Sequence, residues 1–329
     1  MIPYFGLTYI GDGSLSAGIS TLMTENPEKF DAIGDTSSSI PFATIFTGMM
    51  LVQLFYWGTN QAIIQRALGA KNLKEGQKGL IFASFIKILG PLIVVVPGII
   101  AYHIFEGNLV NADEAYPELV TKVLPASLVG FFAAVLFGAI LSSFNSALNS
   151  SVTLFGVDIY KEFINKEATE KQTVKAGKLF GVFLALLSMF VAPFIAYAPD
   201  GLFGYLQEVN GCYSIPILTI IIVGYTTKYV PAKAANIAII LGAVLYIISQ
   251  FVLKPYVFGK DNYPHFLHVM ALLFIVNIVI MLLIGKFSPR KTMYEQKFTQ
   301  EVDITPWQYA KMLGIVVIVT VITTFIFFS

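Results

Sequence analysis

Three groups of polar residues interrupt an otherwise strongly apolar chain, and their types and spacing limit what they can do. Gln53, Tyr56, Trp57 and Asn60 fall at i, i+3, i+4 and i+7, one face of a helix. Aromatic faces beside a few hydrogen-bonding groups suit a polyol such as a sugar. An aromatic interface belt with an interhelical amide contact would use the same residues. Ala139, Ser142, Ser143, Ser146, Asn149 and Ser150 repeat the helical spacing over about three turns. Adjacent hydroxyls one turn after a backbone carbonyl suit a hard cation such as sodium, and a stripe without carboxylates disfavours a divalent ion. Small polar residues at this spacing also let helices pack closely. Lys87 stands alone in the apolar run 79–105, eight residues in and so roughly 12 Å deep. It is either a functional ammonium or a lysine that snorkels to the interface.

The elements that must carry these groups follow from composition. The 329 residues are 56% hydrophobic and 12% charged, about half the charge of a soluble domain. This excludes a soluble enzyme and a disordered chain. Near-balanced charge, 21 basic against 20 acidic residues, provides no field for nucleic acid. Eight runs are long enough for a membrane helix: 40–65, 79–105, 127–157, 174–199, 202–226, 232–252, 264–286 and 308–328. The expected class is therefore all-α, a multi-pass helical bundle in a lipid bilayer rather than a barrel of short alternating strands. The apolar opening 1–10 is too short to span and lacks the basic region and cleavage site of a signal peptide.

Connections on one side of the eight runs hold fifteen Lys and Arg, and those on the other hold four. Basic residues stay with cytoplasmic loops, so the segment before residue 40 and the C-terminus are expected outside. Met1–Ile10 then reads as the end of an earlier span, followed to residue 39 by an acidic outer loop. Gly90-Pro91, Pro97-Gly98, Pro193, Pro199, Gly201 and Pro216 punctuate several runs, as helices do around transport sites. Gln207 follows this punctuation near the outer end of its run, and counting alone does not bring it into the layer of Trp57 and Lys87. The single cysteine, Cys212, allows no internal disulfide. His103, His265 and His268 lie at run ends, which favours interface residues over a relay. With no phosphate-binding loop and no nucleophile–base constellation, an ATP-driven pump and an enzyme are not expected.

The segments Phe55-Tyr56-Trp57-Gly58-Thr59-Asn60-Gln61 and Gln65-Arg66-Ala67-Leu68-Gly69-Ala70-Lys71 resemble the sodium:solute symporter family, in particular its sodium/glucose cotransporter branch. Phe85-Ile86-Lys87 leading to Pro97-Gly98, Ser142 through Ser150 ending in Asp158-Ile159-Tyr160-Lys161, and Leu202 through Gln207 agree in order and spacing. The resemblance implies a core of two inverted five-helix repeats, of which this chain holds the second half. Residues 40–226 would be core helices six to ten, and 227–329 three peripheral C-terminal helices. It further implies sodium held by the Ala139 carbonyl and the Ser142 and Ser143 hydroxyls. Sugar contacts carry over to Gln53, Lys87, Ser143 and Gln207, with Tyr56 and Phe203 at gate positions and Trp57 beside the sugar. Gln53 stands where a bacterial sugar transporter of the family has Asn. The expected partners are sodium as co-transported ion, a small sugar and the bilayer, with no organic cofactor. Helices absent from this sequence would complete both sites. A symporter for an organic anion, amino acid or inositol, or a membrane subunit without transport of its own, are the alternative readings.

Overall fold

The computed structural model describes residues 1–329 except 35–37, 39, 110–111, 196–201, 260–261 and 296–300, and only the backbone at 195, 202 and 203. Among the described residues the chain is all-α. It divides into two compact units that are discontinuous in sequence.

The first unit comprises Met1–Ile33, Gln65–Leu202 and Ile304–Ser329. It opens with α1 (Ile2–Ile10) and α2 (Leu15–Glu25), the latter started by the Ser14 hydroxyl, which accepts from the Ala17 N–H at 3.3 Å. A helix thus occupies much of the acidic segment expected as a loop. Further on come α5 (Leu73–Ile88), α6 (Gly90–Ile104) and α7 (Ala115–Val123). Buried Ile2, Leu7, Leu22, Ile100 and Leu119 join α1, α2, α6 and α7 in one core. The expected run 79–105 is interrupted at Leu89, because Pro91 cannot continue the hydrogen-bond ladder and instead opens α6. Lys87 consequently sits in the last turn of α5, where free carbonyls favour a cation. The long α8 (Ala126–Leu154) runs on as a π-helix, Phe155–Ile164, and packs on α9 (Glu170–Ile195). The final α13 (Ala310–Phe327) packs on α5, and the Trp307 N–H donates to Gln77 Oε1 at 2.7 Å.

The second unit comprises Gly34–Ile64 and Phe203–Asp303. Its first membrane run, expected as one helix over 40–65, is broken instead. A 3₁₀ turn, Phe42–Phe46, precedes α3 (Gly48–Gly58), and α4 begins at Gln61 and ends at Leu68 in the first unit. The break has a local cause. Thr59 turns its hydroxyl back on the Phe55 carbonyl (2.8 Å), and the Asn60 side chain accepts from the Ala62 N–H (3.0 Å), capping α4. Asn60 therefore leaves the face it was expected to share with Gln53, Tyr56 and Trp57. The remaining helices are α10 (Leu202–Thr226), α11 (Ala232–Ile248), extended by the π-helix Ser249–Phe258, and α12 (Phe266–Phe287). Val52, Ile215, Tyr246, Leu267 and Met270 bind α3, α10, α11 and α12 into one core.

Seven helices among the described residues are long and apolar enough to cross a membrane, and the best windows of three of them are 0% buried. Such apolar surface requires hydrocarbon around it. Gly48 meets α12 so closely that an added Cβ would lie 2.0 Å from the Leu267 carbonyl oxygen, whereas Gly58 has nothing within 4 Å. Gly48→Ala is therefore expected to cost about 1–3 kcal/mol through overpacking. It should lower the thermal unfolding midpoint in detergent. Gly58→Ala should leave it level or raise it slightly, since alanine is the better helix former. Equal midpoints for the two variants would refute the close approach.

Candidate functional site

The stripe expected to hold a cation lies on α8. Ser146 is its hub: its hydroxyl donates to the Ser142 carbonyl at 2.9 Å, and Gln65 Nε2 donates to the Ser146 carbonyl at 3.3 Å. The Arg66 guanidinium donates to the Ser146 hydroxyl. An open groove of about 720 Å³ is lined here by Gln65, Arg66, Ser142, Asn145, Ser146 and Asn149 with Gly138 and Leu141. The lining carries hydroxyls, amides and one guanidinium, and no carboxylate among the described residues. Ala139 and Ser143 fall outside that lining, on the adjoining exposed face of the same helix. Ser150, the stripe's last member, is buried. Together the Ser142 and Ser143 hydroxyls and the Ala139 carbonyl make three oxygens, fewer than a hard cation gathers around itself. Asn145 and Arg66 were not singled out as site residues in the sequence. Asn145 could have been, since it lies three residues after Ser142; Arg66 could not, because it reaches the groove from another helix.

The residues expected to contact a solute occur in both units. Gln53, Tyr56 and Trp57 lie on α3 of the second unit, all exposed. Trp57 Nε1 donates to Gln53 Oε1 at 3.0 Å, and the Tyr56 and Trp57 rings meet edge to face at 5.2 Å. On α10, Asn210 Nδ2 donates to Gln207 Oε1 at 3.3 Å, and the Tyr213 hydroxyl donates to Asn210 Oδ1. The Tyr213 ring in turn packs edge-on against Phe55 of α3 at 5.9 Å. Phe203 occupies the first turn of α10, with its side chain outside the described residues. Lys87 is exposed in the first unit.

Beside Gln207, Glu208 Oε1 pairs with Lys254 Nζ at 2.8 Å, and the buried Tyr246 hydroxyl donates to the Glu208 carbonyl at 2.9 Å. Sequence reading missed this pair because its members are 46 residues apart on different helices. The histidines have separate structural partners. His103 Nδ1 meets Asn26 Nδ2 at 2.9 Å, His268 Nδ1 meets the Thr47 hydroxyl at 3.0 Å, and His265 caps α12.

Broken membrane helices, a stripe of hydroxyls and an amide–aromatic face are features that membrane transport proteins of the secondary type combine. A family model described as "Sodium:solute symporter family" matches residues 1–242, and the chain belongs to that family. It is 45% identical over 315 residues to the uncharacterized symporter YidK of Escherichia coli (strain K12), covering 96% of this chain and 54% of that one. It is also 35% identical over 274 residues to the sodium/glucose cotransporter of Vibrio parahaemolyticus, covering 76% and 50%. The chain thus spans about half the length of these relatives. The fold matches the substrate-bound outward-open state of a Na+-coupled sialic acid symporter with a TM-score of 0.70, at 18% identity, over 88% of this chain and 60% of that one.

Proposed function

We propose that the chain is part of a sodium-coupled symporter for a sugar or closely related polyol, working by alternating access. The observation that carries this is the run of hydroxyls on α8 beside an open groove with no carboxylate among the described residues of its lining; away from the Arg66 guanidinium at Ser146, such oxygens suit a monovalent hard cation in a membrane. In this reading Ser142, Ser143 and the Ala139 carbonyl hold sodium. Gln53, Lys87, Ser143 and Gln207 hydrogen-bond the sugar, Trp57 lies beside it, and Tyr56 and Phe203 gate it. The likeness to the sodium/glucose cotransporter of Vibrio parahaemolyticus supports glucose or a similar sugar as the solute. Residues 40–226 act as core helices six to ten and 227–329 as peripheral helices. Segments 1–39 and the C-terminus face outward from the cell membrane, and helices outside this chain complete both sites.

Sodium entry supplies roughly 2.3 kcal/mol per charge per 100 mV, besides its concentration gradient. The direct test is uptake of radiolabelled D-glucose by the intact transporter in liposomes under an inward sodium or potassium gradient. Sodium-dependent accumulation is expected, and equal uptake with either ion refutes the reading. Lys87→Ala should weaken sugar binding by about tenfold or more, the worth of a hydrogen bond to a charged group. Sodium binding should be largely kept. Separate sugar and sodium isotherms check this, and a variant that loses both equally would remove Lys87 from the sugar site.

A further inference from the structure

Two basic stretches of the second unit, far apart in sequence, are laced together by their backbones. The Arg290 N–H donates to the Tyr229 carbonyl at 2.9 Å, and the Tyr294 N–H donates to the Lys228 carbonyl at 3.0 Å. Gly285 permits the close fit, since a Cβ there would lie 2.9 Å from the Tyr229 ring and 2.8 Å from Val230. Residues 226–233 and 285–294 hold Lys228, Lys233, Lys286, Arg290 and Lys291 and no Asp or Glu; the next acidic residue along the chain is Glu295. All five cations are exposed, and none is ion-paired among the described residues. Like charges gathered in this way repel one another and attract an anion.

The cluster stands where α12 leaves its apolar run. Lys286, in the last turn of α12, lines an open groove of about 370 Å³ with Tyr229, Val279, Leu282 and Leu283. Leu283 and Val279 lie about one and two turns before Lys286, so apolar surface leads from the ammonium along the membrane helix. The Arg290 guanidinium stands 5.3 Å from the Tyr294 ring centroid, and tyrosines of this kind belong at the boundary of hydrocarbon and water. We propose that this end of the second unit is a binding site for an anionic phospholipid. Its phosphate sits among Lys286, Arg290 and the neighbouring lysines, and an acyl chain follows Val279, Leu282 and Leu283. A soluble anion has no use for the groove, and a neutral lipid has none for the five cations. The reading of this side as cytoplasmic chooses only the leaflet; the site is independent of the solute and of sodium.

The test is native mass spectrometry of the intact transporter in detergent, titrated with dioleoyl phosphatidylglycerol or dioleoyl phosphatidylcholine. The two lipids share acyl chains and differ in headgroup charge. One phosphatidylglycerol should bind about tenfold more tightly than phosphatidylcholine. A Lys286→Gln, Arg290→Gln double variant should lose that preference and leave phosphatidylcholine binding unchanged. Both side chains are exposed, and the backbone bonds joining the two stretches remain, so the fold is kept. A Lys71→Gln, Lys74→Gln double variant is the control. It removes two exposed charges from connections assigned to the same side of the membrane and should keep the preference. Glycerol phosphate at the same concentration as the lipid should displace none of it. Equal affinity for the two lipids, an equal loss in both double variants, or displacement by glycerol phosphate overturns the proposal, and none of these outcomes touches sodium-coupled transport.

Discussion

Lys254→Met is expected to be among the most destabilising single changes in the second unit. It leaves the Glu208 carboxylate, whose side chain is only 15% exposed, without its partner at 2.8 Å. Removing one member of such a pair typically costs about 3–5 kcal/mol, because the remaining charge has been taken out of water. Lys254 is 22% exposed, so some water reaches the pair and the lower end of that range applies. A fall on the order of 10 °C in the thermal midpoint follows, at about 2–4 °C per kcal/mol for a domain of this size. The Glu208→Gln, Lys254→Met double variant should recover most of the loss, since two neutral side chains of similar volume leave no buried charge. The Tyr246 hydroxyl on the Glu208 carbonyl and the close seat of Gly211 against Tyr246 should keep α10 in place in the double variant. Midpoints in detergent for the three proteins decide it. A double variant no better than Lys254→Met alone would show that the pair is not a coupled charge unit.

How much of this was legible in the sequence depends on how far apart the participants lie. The runs at 127–157, 174–199, 202–226 and 264–286 became α8, α9, α10 and α12 within a few residues, because continuous apolar length with few breakers admits only a helix in lipid. The Gly90-Pro91 interruption was legible for the same reason, since proline removes a donor wherever it stands. The break at Thr59 and Asn60 was not. These residues are compatible with a helix interior, and only their side chains bending back on the backbone end α3 and start α4. The Ser142 stripe was visible from spacing alone. Its tie to Arg66 was hidden, because Arg66 reaches Ser146 across 80 positions. Glu208 and Lys254 were not singled out in the sequence. Hydropathy counts a charge but not its partner. The orientation of the Gln53 amide was equally out of reach, although Trp57 four residues later is the spacing that sets it.

The second large effect concerns the ion. A Ser142→Ala, Ser143→Ala double variant of the intact transporter should require at least about a hundredfold more sodium for half-maximal sugar uptake, since each hydroxyl contact to a charged group is worth about 1.5–3 kcal/mol. The fold itself should be unharmed. Both serines are exposed on the middle of α8, and alanine is the better helix former there. Sugar affinity at saturating sodium should fall less than sodium affinity. At low sodium it should fall further, because coupling is reciprocal: an ion that no longer binds no longer favours the sugar-binding state. Ser146→Ala is the informative neighbour. It removes the hydroxyl that joins Arg66 to the Ser142 carbonyl but leaves the two proposed ligand hydroxyls intact, so its effect on sodium should be smaller than that of the pair. Sodium titrations of radiolabelled sugar uptake for the three proteins separate the possibilities. Undiminished sodium dependence in the double variant would refute the assignment of the stripe, and a Ser146→Ala loss as deep as the double would place the ion one turn further along α8, at the groove itself.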